Sequence, residues 1–220
     1  MRRAVIFANG RLQDAEQARA AIRPGDTLIA ADGGARHCLT LGLTPETVIG
    51  DFDSLSAAEL AELQRLGAQL VRHPAHKDLT DLELALRHAK GLGVSEVLIL
   101  GALGARWDQT IANLLLPLST DLSSLQITIL DGPQQVFILR ASQEIQVRGE
   151  TGDTLSLIPL CGDALGVSTQ GLEYPLHGET LFFGATRGVS NVLTADTARL
   201  SLASGSLLCV HIRQEKPNSG

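Results

Sequence analysis

Up to Leu130 the chain alternates between short, almost continuous apolar runs and longer segments that carry polar residues on one face. Residues 3–8, Thr27 to Ala31, Thr47-Val48-Ile49, Gln69 to Arg72, Val97 to Leu100 and Gln126 to Leu130 read as strands, the first of them buried and Val97 to Leu100 strongly apolar, in a mostly parallel sheet. Between them the helical period predicts helices over Asp14 to Ile22, Arg36 to Leu41, Ser56 to Gly67, Thr80 to Gly91 and Asp108 to Leu116. Ser56 with Glu59, and Thr80 with Glu83, have the spacing of capping boxes. From Asp131-Gly132-Pro133 onward the helical period is lost. Phe137 to Leu139, Ile145 to Arg148, Thr154 to Pro159, Leu165 to Thr169, Leu181 to Phe183 and Leu207 to Ile212 are the strand candidates there. Two domains are expected: residues 1–132 as an α/β, Rossmann-like unit with a mostly parallel sheet, and residues 133–220 as an antiparallel β-sandwich.

The candidate chemistry gathers behind the predicted strands of the first domain, where open α/β sheets bind ligands. Gly50-Asp51-Phe52-Asp53-Ser54 follows the third strand. If the strand continues through it, Asp51 and Asp53 point the same way. Two such charges ~4 Å apart repel by about 4 kcal/mol at an effective dielectric of ~20, so a proton or a cation is expected between them. An all-oxygen donor set suits Mg²⁺, and the competing reading is a surface turn. Lys77-Asp78-Leu79-Thr80-Asp81 and Arg106-Trp107-Asp108 add further charge at strand ends and helix starts; Thr80 and Asp81 could equally serve as a helix cap. Asp32-Gly33-Gly34-Ala35 reads as a tight turn that lets backbone approach a ligand, although no GxxxxGK[ST] or GxGxxG is present.

Composition narrows the field. The 220 residues are 44% apolar, enough for a sizeable core, and Lys plus Arg number 18 against 24 Asp plus Glu, for a net charge of −6. Without a basic block, nucleic acid is not expected as a partner. Cys38, Cys161 and Cys209 are widely spaced and form no metal-binding pattern. No apolar stretch reaches the ~18 residues of a membrane span, so a cytoplasmic chain with no membrane partner is expected.

Asp32-Gly33-Gly34-Ala35, Gly50-Asp51-Phe52-Asp53-Ser54, Lys77-Asp78-Leu79-Thr80-Asp81 and Gly101-Ala102-Leu103-Gly104-Ala105-Arg106-Trp107-Asp108, in that order, closely resemble the motifs of the thiamine pyrophosphokinase family. Gly171-Leu172-Glu173-Tyr174-Pro175-Leu176 and Gly188-Val189-Ser190-Asn191 extend the resemblance over nearly the whole chain. It implies an α/β catalytic domain followed by a thiamine-binding β-sandwich, in a homodimer with active sites at the subunit interface. It implies transfer of the diphosphoryl group of ATP to thiamine, with Mg²⁺, to give AMP and thiamine diphosphate. Carried over, Asp51, Asp53 and Asp81 would hold the metal, with Asp32 completing a catalytic set of four acids. Gly33, Gly34, Lys77, Asp78, Thr80, Arg106, Asp108 and Asn113 would surround ATP, and Tyr174, Ser190 and Asn191 would meet thiamine. Two departures are Trp107, where the family usually has Phe, and Tyr174, where eukaryotic relatives carry Trp.

From spacing alone Trp107 is expected in the core, and Asn113 could simply cap or pack within its helix. Two other functions are open: an aspartyl-phosphate phosphatase with Asp51 as nucleophile, and a thiamine or nucleotide sensor without turnover.

Overall fold

The computed structural model describes residues 2–75, 78–104 and 106–214. They form two compact units, Met1–Gly132 and Pro133–Gly220. In the first, strands β1 (Arg3–Phe7), β2 (Thr27–Ala31), β3 (Thr47–Gly50), β4 (Gln69–Arg72), β5 (Glu96–Leu100) and β6 (Gln126–Asp131) alternate with helices α1 (Ala15–Ala21), α2 (Ala35–Thr40), α3 (Ala57–Arg65), α4 (Asp81–Gly91) and α5 (Trp107–Leu115). All five strand pairings are parallel, in the order β4-β3-β2-β1-β5-β6. The chain builds outward from β1 to one edge, then crosses back to lay β5 against the other side of β1. Helix α4 makes that crossing, touching β1, β2 and β3. It buries Leu82, Ala85, Leu86 and Ala89, a single helical stripe.

Val5, Phe7, Ala30, Val48, Leu98 and Leu100 share one cluster with Leu63 of α3, and the next residues along the strands, Ile6, Ile29, Ile49 and Ile99, are equally inaccessible on the other face. This burial on both faces is why the strands read as unbroken apolar runs. Helix boundaries follow local chemistry. Ser56 and Glu59 form a complete capping box on α3, whereas Thr80 caps α4 one way only, accepting from the Glu83 amide at 3.2 Å, with Glu83 turned to Arg87.

The second unit holds β7 (Gln134–Arg140), β8 (Gln143–Arg148), β9 (Thr154–Gln170), β10 (His177–Leu181), β11 (Asn191–Val192), β12 (Thr197–Leu202) and β13 (Ser204–Ile212), all antiparallel. The two expected strands at 154–159 and 165–169 are one strand, β9. Its first half pairs with β13 and β11, its second with β10 and β12, so it serves both layers of the sandwich. Cys161, at φ 61, and Gly162, at φ 125, mark the bend between them. The strand expected over Leu181 to Phe183 instead ends at Leu181, and Phe182 and Phe183 are exposed. β11 and β12 were not anticipated.

Candidate active site

The strand order reverses at β1, whose two neighbours lead to opposite edges of the sheet, and a crevice is expected at the carboxyl ends there. A cleft of about 520 Å³ occupies that place. It is lined by Asn9 and Gly10 after β1, Asp32 after β2, Asp51, Asp53 and Ser54 after β3, and Ala102 to Gly104 after β5, with Thr80, Asp81, Arg106 and Asn113 beside them.

Asp32, Asp51 and Asp53 each place a carboxylate oxygen within 4.8 Å of the others. Asp32 is 4% exposed, and its buried Oδ1 has no hydrogen-bond partner among the described residues. A buried, unpaired carboxylate oxygen facing two more carboxylates is costly without a cation. An oxygen-only donor set of this kind fits Mg²⁺, which keeps waters and phosphate oxygens in its remaining positions. Asp81, the first residue of α4, lines the same cleft. A Cβ on Gly50 would lie 2.9 Å from the Asp32 Cβ and 3.3 Å from Asp81 Oδ1, so the bare glycine lets these acids approach.

The acids converge by a route other than strand alternation. β3 ends at Gly50, and Phe52 sits at φ 68 with its ring buried. The Asp53 amide donates to Asp51 Oδ1 at 3.1 Å, closing a turn that brings both carboxylates to one side. Two arginines brace this turn through its backbone. Arg72 donates to the Asp51 carbonyl at 2.6 Å with its guanidinium 4.7 Å from the Phe52 ring centre, and Arg36 donates to the Ser54 carbonyl and, at 2.8 Å, to Glu59. Serine and arginine hydrogen bonds hold the Glu59 carboxyl down at about 2, keeping this brace ionised.

The glycines after β2 play a different part from the one expected. The left-handed residue is Asp32, at φ 45, not Gly33 or Gly34. Both glycines are buried off the cleft: a Cβ on Gly34 would fall 2.0 Å from the Phe7 carbonyl oxygen, and one on Gly33 2.3 Å from Asn9 Oδ1. They make room for the chain itself. Of the other expected nucleotide ligands, Thr80, Arg106 and Asn113 line the cleft, Asp78 and Asp108 do not, and Lys77 lies outside the described residues. Arg106 is engaged by Asp108 at 3.1 and 2.5 Å, and this hydrogen bonding lowers the Asp108 pKa. Asn113 is buried and donates to the Ala102 carbonyl at 2.6 Å, fixing the loop after β5. Trp107, expected in the core, is 78% exposed, because α5 turns Thr110 and Asn113 inward.

In the second unit Tyr174 and Asn191 come together. The Tyr174 amide donates to Asn191 Oδ1 at 3.0 Å, and Asn191 Nδ2 donates to the Tyr174 carbonyl at 2.7 Å. Asn191 Oδ1 also accepts from the Val192 amide at 2.9 Å. Ser190, at φ 61, donates its amide to Ser156 Oγ at 3.0 Å. The Tyr174 side chain is left exposed. Asn9 was not among the residues singled out from the sequence; the available signal was its place at the carboxyl end of β1.

Comparison with known families finds "Thiamin pyrophosphokinase, catalytic domain" matching residues 19–129 and "Thiamin pyrophosphokinase, vitamin B1 binding domain" matching residues 142–207. Thiamine pyrophosphokinase from Bacillus subtilis (strain 168) is 28% identical over 182 residues, spanning 83% of this chain and 85% of that one. Thiamine pyrophosphokinase 1 from Oryza sativa subsp. japonica is 28% identical over 209 residues, spanning 84% and 78%. The crystal structure of thiamine pyrophosphokinase from Bacillus subtilis superposes with a TM-score of 0.87 at 24% identity, covering 97% of this chain and 100% of that one, which shows the shared fold.

Proposed function

This chain belongs to the thiamin pyrophosphokinase family, and we propose from that premise that it transfers a diphosphoryl group from ATP to the hydroxyl of thiamine. A carbon-bound oxygen forms a bond to the β-phosphorus, the bridging bond to the α-phosphate breaks, and AMP and one proton leave. The observation that carries the reading is the convergence of Asp32, Asp51 and Asp53 within 4.8 Å in a cleft at the switch point of the sheet.

Asp32, Asp51, Asp53 and Asp81 would hold Mg²⁺, whose charge when bound offsets that of the phosphates and of the departing oxygen. The residues themselves supply position. The turn at Phe52 and its two arginine braces keep the carboxylates preorganised, and Asn113 fixes the loop beside the cleft. Arg106, a planar donor on the cleft wall, reaches phosphate by exchanging its Asp108 contact. Lys77 and Thr80 complete the proposed nucleotide side, while Gly33 and Gly34 seat the chain behind it. Tyr174 offers a ring on which the thiamine pyrimidine stacks, with Ser190 and Asn191 shaping the same surface.

The finer proposals are a homodimer and a cytoplasmic location. Exposed Phe182 and Phe183 supply apolar surface of the kind that interfaces cover, and among the described residues no helix is long and apolar enough to cross a membrane. The test of function is a turnover assay with ATP labelled in the β-phosphate. AMP and labelled thiamine diphosphate should form in equal amounts and only with thiamine and Mg²⁺ present. Thiamine-independent phosphate release from phosphomonoesters would favour Asp51 as a nucleophile, and tight binding without turnover would favour a sensor.

A further inference from the structure

We infer that Asn9 and Ser54 are positioning residues that fix the orientation of the Asp53 carboxylate for cation binding; the inference rests on the metal site proposed above. Asp53 is exposed on a turn, and the arginine braces hold the backbone of that turn rather than its acid. The one side-chain hydrogen bond to the Asp53 carboxylate among the described residues comes from Ser54, whose hydroxyl donates to Oδ1 at 3.1 Å. That uses the only hydroxyl proton, so Ser54 Oγ is left as an acceptor. Asn9 Nδ2 donates to it at 3.2 Å. Direction is thereby set along the whole relay, from the Asn9 amide to the Ser54 hydroxyl to the Asp53 carboxylate.

The fold has made room for this relay. Asn9 follows β1 and Ser54 follows β3, and β2, which leads directly into Asp32, lies between those strands. The amide must therefore pass over the turn after Asp32. A Cβ on Gly33 would come within 2.3 Å of Asn9 Oδ1 and 2.7 Å of Nδ2, so that glycine is what lets the amide seat. Three loops that each end a different strand are joined at the acids. With one oxygen of Asp53 held by a neutral hydroxyl, its carboxylate keeps a fixed rotamer without losing negative charge, as outer partners of metal-binding carboxylates do.

Free Mn²⁺ titrated onto the full chain without nucleotide, followed by electron paramagnetic resonance, tests this apart from turnover. Ser54→Ala and Asn9→Ala should each weaken Mn²⁺ binding by about tenfold or more, the usual effect of losing such a partner. Ser54→Thr, which keeps the hydroxyl, should restore it. The double variant Asn9→Ala/Ser54→Ala should bind no more weakly than Ser54→Ala, because one relay is broken once. Thermal melting of both single variants should match the parent. If Asp53→Asn removes Mn²⁺ binding while Ser54→Ala and Asn9→Ala leave it intact, the relay is overturned and the metal site stands. If Asp53→Asn also leaves binding intact, the metal site itself is overturned. Large losses of melting temperature in both alanine variants, with no rescue by threonine, would make the two residues structural only.

Discussion

The amide of Asp53 donates to the carboxylate of Asp51 at 3.1 Å, so the two acids meet because the chain turns between them. Phe52 is the pivot: its backbone is left-handed at φ 68 and its ring is 5% exposed. Burial of the ring, and the Arg72 guanidinium over it, hold a conformation that a bulky side chain disfavours. Phe52→Ala should cost about 3 kcal/mol of unfolding free energy, read by urea denaturation, as large aromatic deletions do. Turnover should fall with it, because the acids lose their frame.

Removing an acid should have the opposite balance. Asp53→Asn is expected to abolish turnover while the melting temperature stays level or rises; Asp81→Asn should abolish turnover too, with some loss of melting temperature because Asp81 also lies in the first turn of α4. Clustered carboxylates repel one another by a few kcal/mol, roughly, when no cation is present, and each neutral substitution relieves part of that. A marked loss of stability in both variants, measured by thermal melting, would return these acids to a structural role.

Two glycines differ in what an added side chain would meet. At Gly50 a methyl would lie 2.9 Å from the Asp32 Cβ, 3.2 Å from the Asp32 Cα and 3.3 Å from Asp81 Oδ1, so the turn that carries Asp32 must shift along with the Asp81 side chain. Gly50→Ala should therefore lose about a hundredfold in kcat/KM, the scale of a misplacement near 1 Å, with a smaller fall in melting temperature than Gly34→Ala. At Gly34 the added methyl meets the Phe7 carbonyl at 2.0 Å, a backbone atom in the central strand. Gly34→Ala should show its main effect in soluble yield and melting temperature instead.

Asn191 spends its amide on the backbone of Tyr174, donating to its carbonyl at 2.7 Å and accepting from its amide at 3.0 Å. It is better placed to hold the tyrosine than to recognise a ligand by itself. Asn191→Ala and Tyr174→Ala should each raise the KM for thiamine with kcat less affected. The double variant should be little worse than Tyr174→Ala, whereas additive losses would give Asn191 a contact of its own.

Legibility in the sequence followed locality. Five strands of the parallel sheet announced themselves because each is apolar on both faces, whereas the edge strand β4, with Gln69 and Arg72 exposed, offered only Leu70 and Val71; the Ser56–Glu59 box marked α3 without help from tertiary contacts. β12 was missed although its inward residues Ala198, Leu200 and Leu202 alternate with Thr197, Arg199 and Ser201, because only Thr197 among the six favours strands. Phe182, Phe183 and Trp107 misled in the other direction, since apolar character alone does not say which face is covered. The four acids were legible as charge, but their meeting depends on a left-handed turn that spacing does not reveal. Asn9 could not be found that way at all: its partner Ser54 is 45 residues distant, and only the strand order β3-β2-β1 makes them neighbours.

Acid should weaken the second unit through Asp153. Its buried carboxylate accepts from the Gln214 amide at 3.0 Å, the Glu150 amide at 3.0 Å and the wholly buried His211 Nε2 at 2.9 Å, tying the end of β13 to the turn before β9. Burial by itself would raise the pKa of this acid. The amide and histidine hydrogen bonds outweigh it, and the net direction is down from 3.8. A carboxyl depressed in the folded state stabilises it above the unfolded value and loses that contribution as pH falls through the folded one. At neutral pH Asp153→Asn should cost about 2 kcal/mol, because three donors lose a charged acceptor. Urea denaturation from neutral pH down to about pH 3 should then show the parent and the variant converging below the ordinary carboxyl range. Curves that stay parallel throughout would mean that Asp153 keeps its proton state on unfolding and contributes nothing to acid sensitivity.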